Sequence, residues 1–464
     1  NLHTGNKMKK EMYSSEITVL RDTFRRLLRR HAKTNIVKLI DKTHPADLAL
    51  IFRYFNDTEQ DSIFSSMSAS EETVEFLNEL DESITTRLIE NETPSRLAEI
   101  LEEASSNEQA YLMGLVNDKF AASVINLLQV EEQEELEEMM GYPEDSAGIL
   151  MYTDVFTLHQ DTKAREAIYA LQDQEEAEMV FYLYTLDDDG RLTGVISLRD
   201  LVTTPGDTML KDIMSKNIQA VRPETDQEEV ARIVSQYNFL AVPVVDSDEK
   251  LLGIVTVDNV VDVIREEATE DFLQLAGAGK DREILLKSSW ENARIRLPWL
   301  FASWIGGIVA AFIIGVFDNI LENAIALAAF IPVIIGMGGN VGTQSSTIIV
   351  RGLATGRVSF ENSITVLFKE MRVGLILGIL YGMLLGFFAI FQFIDTSPML
   401  GVVVGLSICV SMILAATIGS LVPLILNRFE IDPAIATGPF VTTAIDIMGV
   451  AFYFLIARSL LLGI

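Results

Sequence analysis

The chain has 464 residues, a mean hydropathy of +0.28 and a net charge of −30, and these properties are divided unequally along it. Residues 297–464 carry six basic and eight acidic side chains, so the first 296 residues hold nearly all of the negative charge. Such a surface repels nucleic acid and anionic lipid and favours cations as partners. The single cysteine, Cys409, excludes an intrachain disulfide, and the first 30 residues lack the apolar core of a signal peptide.

The order of charged, repeated and apolar segments predicts a multidomain fold. We expect an α-helical superhelical N domain, two tandem α/β modules and a polytopic α-helical membrane domain with five spans. The predicted boundaries are residues 1–16 for a tail that begins with an expression remnant, 17–140 for the acidic helical N domain, 141–208 and 209–272 for the two modules, 273–296 for a connecting, plug-type helix, and 297–464 for the five-helix transmembrane pore domain.

Two kinds of repeat precede the apolar half. Residues 17–140 are rich in Leu, Glu and Ala with short breaks, a pattern typical of helical hairpins stacked into a curved solenoid. Residues 194–200 match residues 253–259 at an offset of 59, each a strand followed by a Ser or Thr cap and a helix. This pattern resembles a tandem pair of CBS modules, which commonly bind adenosine nucleotides. The resemblance makes Thr256 and Asp258 candidate nucleotide contacts, although both residue types also suit a helix cap.

A run of carboxylates follows the second module and lies at helical spacing. Like charges four residues apart on one helix face repel by about 0.2–0.5 kcal/mol per pair, which a bound divalent cation would relieve. A solvated helix face is the alternative. The candidate sensor residues are Asp258, Asp262, Glu266, Glu267, Glu270 and Asp271.

Five apolar stretches in the second half are each long enough to cross a bilayer. Arg294 and Arg296 precede the first stretch, and the second and fourth connections also carry basic residues, whereas the first and third carry none. The positive-inside rule therefore predicts a cytoplasmic N-terminal half and a C-terminus outside. The predicted spans are residues 297–316, 324–349, 373–394, 401–426 and 433–457.

The fifth stretch contains a carboxylate, Asp446, near its middle. An ionisable group in hydrocarbon costs at least about 2.5 kcal/mol, so it persists mostly where it faces water or a partner. We expect Asp446 to lie on a cation pathway, and a buried protonated Asp is the alternative. Thr437, Gly438 and Thr442 add hydroxyl and carbonyl oxygens to the candidate site, a ligand set that suits a hydrated Mg²⁺ ion.

Two further polar features have two interpretations each. Asp432 directly before Pro433 is typical of a helix cap and is compatible with a carboxylate at the cytoplasmic mouth of a pore. Asn340, Thr343 and Gln344 interrupt the second span among glycines, and such residues either pack helices closely or line a pore.

The chain resembles the MgtE-type magnesium channels and transporters over nearly its whole length. Five features follow that family's order: the acidic helical domain, residues 142–148, the CBS pair, residues 338–344, and residues 432–446. The resemblance implies a homodimer in the inner membrane whose central pore admits Mg²⁺ to the cytoplasm and selects it with a pair of Asp446 carboxylates. It also implies closure by cytosolic Mg²⁺ between the acidic domains, and ATP binding at the CBS pair.

Other functions fit the residues less well. A proton-coupled secondary transporter of divalent cations is the main alternative, since a midplane Asp can also relay protons. An anion channel would need basic groups in its filter, and a nucleotide-driven pump would need a phosphate-binding loop, which the sequence lacks. The four histidines lie apart and upstream of the spans, so the sequence does not predict an enzyme.

Overall fold

The computed structural model describes residues 17–172, 181–281, 283–359, 361–393, 398–429, 431–436 and 438–461. The chain divides into two compact units, Asn1–Ile264 and Arg265–Ile464. The predicted tail, residues 1–16, and the candidate ligand Thr437 lie outside the described residues.

The first unit begins with a domain made of short helices, as predicted. Alternate helices pack on one another, α3 on α5, α5 on α7 and α7 on α9, as expected for stacked hairpins. Phe52 and Phe76 meet edge to face in its core, with ring centroids 5.0 Å apart. The helices are α1 (17–29), α2 (Lys33–Ile40), α3 (Pro45–Phe52), α4 (Asp57–Phe64), α5 (Glu71–Asn78), α6 (Glu82–Glu90), α7 (Pro94–Leu101), α8 (Ser106–Gly114), α9 (Asp118–Ile125) and α10 (Val130–Met139).

Two small α/β modules follow, which confirms the predicted repeat. In the first module β1 pairs parallel with β2 and β2 pairs antiparallel with β3; in the second β4 pairs antiparallel with β5. The elements are α11 (Ala147–Leu150), β1 (Thr157–His159), α12 (Ala164–Gln172), β2 (Tyr182–Leu186), β3 (Leu192–Ser197), α13 (Leu198–Thr203), α14 (Leu210–Ile213), α15 (Gln227–Tyr237), β4 (Ala241–Val245), β5 (Leu251–Thr256) and α16 (Val257–Leu275).

In each module, the segment that precedes the first strand pairs with a strand of the other module. Tyr152, which precedes β1, bridges to Ile254 on β5, and Ser215, which precedes β4, bridges to Val195 on β3. The adjacent strand glycine, Gly253 in one case and Gly194 in the other, leaves room for the incoming segment. A side chain at either glycine would collide with it, so the repeat at an offset of 59 encodes the mutual packing of the modules.

The second unit contains five helices long and apolar enough to cross a membrane. Along α20, Gly378, Gly382 and Gly386 lie directly against the backbone of α21 and form a glycine stripe that lets the two helices pack closely. The elements are α17 (Ser289–Val316), α18 (Asp318–Asn323), a 3-10 helix (Ile325–Phe330), α19 (Ile331–Ala354), α20 (Ser363–Gln392), α21 (Met399–Arg428), a second 3-10 helix (Pro433–Ala436) and α22 (Pro439–Leu461).

The structure corrects the predicted connecting helix of residues 273–296. Helix α16 ends at Leu275, turns follow, and α17 begins only at Ser289. Gly277 and Gly279 have φ angles of +68° and +92°, a left-handed backbone that ends a helix. Ser288 then caps α17, which continues without a break into the first span.

The fifth span also differs from its predicted start at residue 433. The apolar run there divides into a 3-10 helix, Pro433–Ala436, and helix α22, which starts at Pro439. Pro439 at the first position of α22 has no amide hydrogen to donate and has φ suited to a helix start. The Gly-Pro pair therefore begins the last membrane helix rather than kinking its interior.

Candidate functional site

Asp446 on α22 lies against the glycine-rich part of α19. A side chain added at Gly338 or Gly342 would meet Ile445, the neighbour of Asp446, so these two glycines let the helices approach closely. At Gly339 the position of a Cβ would be 4.0 Å from Oδ1 of Asp446. The contact between the two helices thus brings the intramembrane carboxylate to the polar segment of the second span.

The polar segment of α19 has two distinct faces. Gly338, Val341, Gly342, Ser345 and Ser346 are buried within the chain. The exposed face carries amides and hydroxyls at helical spacing: Asn340, Thr343, Gln344 and Thr347. The small residues of this segment therefore pack against neighbouring helices, whereas Asn340, Thr343 and Gln344 are exposed. Within a membrane span such side chains need water or another protein surface.

The oxygens at the head of α22 are largely engaged by the helix itself. Thr442 donates its hydroxyl to the carbonyl oxygens of Gly438, at 3.1 Å, and Pro439, at 3.3 Å. The Gly438 carbonyl also accepts from the Thr442 amide at 3.3 Å. The Gly-Pro pair therefore does not release the Gly438 carbonyl as a free ligand in this conformation, because both its lone pairs are used.

A second group of carboxylates lies where the end of α16 meets the head of the last span. We call Glu270, Asp271, Gln274 and Asp432 the acidic junction. The buried amide Nε2 of Gln274 donates to Oδ2 of Asp432 at 2.9 Å and to Oε1 of Glu270 at 2.9 Å. Oδ1 of Asp432 accepts from the Ala434 amide at 2.8 Å. Asp432 is therefore a cap, as predicted, but it caps the 3-10 helix.

Glycines bring the two segments of the junction into contact. A Cβ at Gly438 would lie 3.4 Å from the amide nitrogen of Gly277 and 3.5 Å from the Gln274 carbonyl oxygen. Gly277 in turn packs against Pro439, because a Cβ added at Gly277 would lie 3.3 Å from the Pro439 ring. The chain after α16 thus lies directly on the residues that start α22.

Charge accumulates at the acidic junction. Burial raises the pKa of Asp271 above its ordinary value, and the nearby Asp432 and Glu270 carboxylates raise it further, whereas Arg351 and Lys280 oppose the increase. Lys280 forms an ion pair with Glu270, Nζ to Oε1, at 2.6 Å. The junction therefore concentrates negative charge that its own cations offset only in part.

The structure divides the six predicted sensor residues. Asp258 and Asp262 are exposed in the first unit, whereas Glu266 and Glu267 are half-buried on the same helix. Glu270 is linked through Gln274 to Asp432 of the membrane half, and Asp271 lies near enough to Asp432 for their charges to interact. Among the described residues, no three His, Cys, Asp or Glu side chains converge closely enough to hold a metal ion.

The predicted nucleotide contacts lie at the end of β5. Thr256 is buried, and within the described ranges its hydroxyl has no hydrogen-bond partner, while Asp258 is exposed. In the first module Ser197 accepts from the Asp200 amide at 3.1 Å and donates to its carboxylate at 2.6 Å. The first-module pair is thus an occupied helix cap, whereas the Thr256 hydroxyl is buried and has no hydrogen-bond partner within the described ranges.

Sequence reasoning missed Gln274, which joins two of the predicted carboxylates. Its position four residues after Glu270 was the available signal, since residues at that spacing share a helix face. Its bond to Asp432 spans 158 positions and had no signal in the sequence. Gly306 on α17, which receives the Thr443 side chain, was likewise not predicted.

These features define a class: a multi-pass membrane protein with five membrane helices and a soluble N-terminal half, made of a helical domain and a CBS pair. Three family models match in the same order: the MgtE intracellular N domain at residues 43–145, CBS domains at 147–205 and 210–266, and the MgtE divalent cation transporter at 331–456.

Similar proteins cover most of the chain. The magnesium transporter MgtE of Bacillus subtilis is 31% identical over 91% of this chain and 93% of its own length. That of Thermus thermophilus is 37% identical over 79% of each chain. A crystal structure of the cytosolic domain of the Mg²⁺ channel MgtE in complex with ATP has 31% identity and a TM-score of 0.50, covering 52% of this chain and 99% of that one. The chain belongs to the MgtE family.

Proposed function

We propose that the protein conducts Mg²⁺ through the inner membrane into the cytoplasm and that cytosolic Mg²⁺ closes it. The observation that carries the proposal is the position of Asp446 against Gly339, beside the exposed Asn340, Thr343 and Gln344 of α19. A carboxylate with amides and hydroxyls nearby attracts a hard cation without stripping all its water. Relatives described as magnesium transporters are 31–38% identical, which supports Mg²⁺ as the ion.

The pore is proposed to form between two copies of the chain. Each copy supplies one carboxylate, Asp446, to the proposed pore, too few for a dehydrated Mg²⁺ ion, which takes six oxygens. Two Asp446 side chains facing one axis would hold a hydrated ion between them. The polar face of α19 then meets water and its symmetry mate rather than lipid, which accounts for its exposure in a single chain.

Closure is proposed to occur at the acidic junction. Without a bound cation Asp271 and Asp432 repel each other, which favours separation of the α16 end from the head of α22. Mg²⁺ relieves the repulsion and keeps that segment on the mouth of the pore. Asp258, Asp262, Glu266 and Glu267 extend the sensor along α16, with the N domain and both CBS modules on the cytoplasmic side and the C-terminus outside.

ATP at the CBS pair is a further part of the proposal. A related cytosolic domain was crystallised with ATP. Here the buried Thr256 hydroxyl, unpaired within the described ranges, and the exposed Asp258 lie at the end of β5 and could contact a nucleotide. Bound ATP would stabilise the CBS pair and so change how readily the sensor responds.

Uptake into liposomes that contain purified protein and a fluorescent Mg²⁺ indicator tests the function. Conduction predicts saturable Mg²⁺ entry that follows the membrane potential and continues after a protonophore collapses the pH gradient. Proton-coupled transport, the alternative, predicts that the protonophore stops uptake and that Mg²⁺ entry moves protons in measurable proportion. No uptake above protein-free liposomes would contradict both.

A further inference from the structure

A second carboxylate lies inside the membrane-spanning bundle, away from Asp446. Glu370 on α20 is 6% exposed, and its Oε2 accepts a hydrogen bond from the hydroxyl of Ser345 on α19 at 2.9 Å. Ser345 is itself 3% exposed. Buried carboxylates in membrane helices are rare and persist where a partner or a function retains them. The pair is a hydrogen bond from a hydroxyl on one apolar span to a carboxylate on another.

Glu370 occupies the end of the glycine stripe of α20. It precedes Gly374 by one turn on the same face, and Gly374 lies against Met412 and Ala416 of α21. Helices α19 and α20 both pack extensively along α21. The Ser345–Glu370 bond therefore joins two helices that are otherwise held mainly through a third.

Farther from this bond the same two helices are separated. A groove of about 190 Å³ lies between them, lined by Val333 and Met337 of α19, Tyr381 and Leu384 of α20, and Ile408 of α21. The hydrogen bond is located nearer the loop that connects α19 to α20. It thus joins α19 to α20 on the side of the groove nearer their connecting loop.

The bond also constrains rotation of α19 about its axis, in addition to the packing of α19 on α21 and α22. Ser345 is buried, whereas its neighbour Gln344 lies on the exposed polar face with Asn340. Successive residues on a helix are 100° apart, so holding the Ser345 hydroxyl sets the direction of the Gln344 and Asn340 amides. A rotation about the helix axis would turn those amides toward packed helices.

We propose that Glu370 is a positioning residue for ion permeation: by accepting the Ser345 hydrogen bond, it holds the polar face of α19 toward the conducted ion. The inference rests on the proposed function. Glu370 does not touch the ion; it acts through Ser345 and the helix that carries Asn340 and Gln344. Glu370 is therefore a second carboxylate, besides Asp446, on which ion permeation depends.

Adjacent serines give a matched test. Ser345→Ala and Ser346→Ala each remove one buried hydroxyl from α19, but in the described part of the chain the Ser346 hydroxyl has no hydrogen-bond partner. Ser345→Ala should raise the half-saturating Mg²⁺ concentration for liposome uptake about tenfold, the effect of losing one charge-assisted hydrogen bond. Ser346→Ala should stay within about twofold. A merely structural role would lower the yield or melting temperature and the maximal flux, but not half-saturation.

Changes at the carboxylate complete the experiment. Glu370→Gln keeps a neutral acceptor for the Ser345 hydroxyl and should raise the half-saturating concentration by no more than about threefold, whereas Glu370→Ala should match Ser345→Ala. The double variant should be no worse than either single one, because both remove the same bond. Equal half-saturation for Ser345→Ala and Ser346→Ala, or additive effects in the double variant, would overturn the proposal.

A readout that does not depend on transport separates this inference from the proposed function. With Cys409 replaced by Ser, a thiol reagent should modify Asn340→Cys at a rate that Ser345→Ala changes at least threefold and Ser346→Ala leaves unchanged. An unchanged labelling rate with Ser345→Ala overturns the positioning role even if Mg²⁺ uptake is normal. Absence of uptake by the unmodified protein overturns the conduction proposal. The labelling rate would still decide whether the Ser345–Glu370 bond sets the orientation of α19.

Discussion

Asp446 and Asp271 are both half-buried carboxylates, yet their surroundings are opposite in kind. Asp446 lies on a membrane helix beside the backbone of Gly339, with exposed amides and hydroxyls on the same neighbouring helix. Asp271 lies among charges, with Asp432, Glu270, Lys280 and Arg351 all affecting it.

This difference suggests two tasks for one ion. An isolated carboxylate that faces neutral oxygens attracts a divalent cation weakly enough to release it, which conduction requires. A cluster of like charges changes shape when a cation binds, because repulsion between its members is removed, which regulation requires. Substitutions in the two regions should therefore alter different properties of the protein.

The largest expected effect is at the isolated carboxylate. Asp446→Asn should lower Mg²⁺ flux by about 100-fold, the equivalent of about 2.7 kcal/mol of lost ion stabilisation, while the folded protein is still recovered. Uptake into liposomes measures this change. Asp318→Asn, at the start of α18, is the control and should retain flux within about twofold. Normal flux through Asp446→Asn would remove this residue from the pathway.

A steric change beside Asp446 should have the next largest effect. Gly339→Val adds a Cβ, which would lie 4.0 Å from the Asp446 carboxylate, and two methyl groups beyond it, so it should lower flux about tenfold by displacing the ion or its water. Gly336→Val is the control, because no atom lies within 4 Å of its added Cβ. If both variants conduct equally, the Gly339 contact is not part of the pathway.

A substitution in the acidic junction should change the inhibition of Mg²⁺ flux by cytosolic Mg²⁺. Asp271→Asn should raise the cytosolic Mg²⁺ concentration that half-closes the pore about fivefold to tenfold, since one carboxylate of the sensor is lost. Asp188→Asn, a fully exposed carboxylate in the first module, should leave the inhibition curve unchanged. An unshifted curve for Asp271→Asn would place the sensor elsewhere.

The raised pKa of Asp271 adds a pH dependence to the same measurement. Burial and the neighbouring carboxylates favour its protonated form, so acidification neutralises it before ordinary surface carboxylates. Protons compete with Mg²⁺ for the carboxylate, and the half-inhibitory Mg²⁺ concentration should therefore increase as pH falls. Asp271→Asn should show less of this increase. An identical pH dependence in both proteins would exclude Asp271 as its source.

The smallest expected effect concerns the cation within the junction. Lys280→Met removes the partner of Glu270 and should lower the half-inhibitory Mg²⁺ concentration about twofold, because a partly exposed ion pair contributes only about 0.2–1 kcal/mol. Lys216→Met, an exposed lysine in the second module, is the control. A shift toward higher Mg²⁺ would mean that Lys280 assists closure rather than competing with the ion.

Features carried by composition and short-range pattern were predictable from the sequence. The five spans, the helical N domain and the repeated modules depend on apolar length, helical breaks and an internal offset, all of which are local signals. The cap at Asp432 was also predictable, because it depends on the residues that directly follow.

Features that depend on contacts between helices far apart in the sequence were not predictable from the sequence. The separation of α19 into a packed face and an exposed polar face follows from its contacts with α21 and α22, far away in the sequence. The Gln274–Asp432 bond has the same origin. The break in the connecting helix did have a local signal, Gly277 and Gly279, but glycine alone does not fix a positive φ.

The most direct test of the account is patch-clamp current through the purified, reconstituted protein as Mg²⁺ on the side of the soluble domains is raised from micromolar to millimolar levels. Conduction at Asp446 and closure at the acidic junction predict a Mg²⁺-carried current that shuts as the concentration rises. The current should be about 100-fold smaller in Asp446→Asn and should persist to higher Mg²⁺ in Asp271→Asn. Electrically silent uptake that depends on protons would contradict conduction and would make Asp446 a proton site.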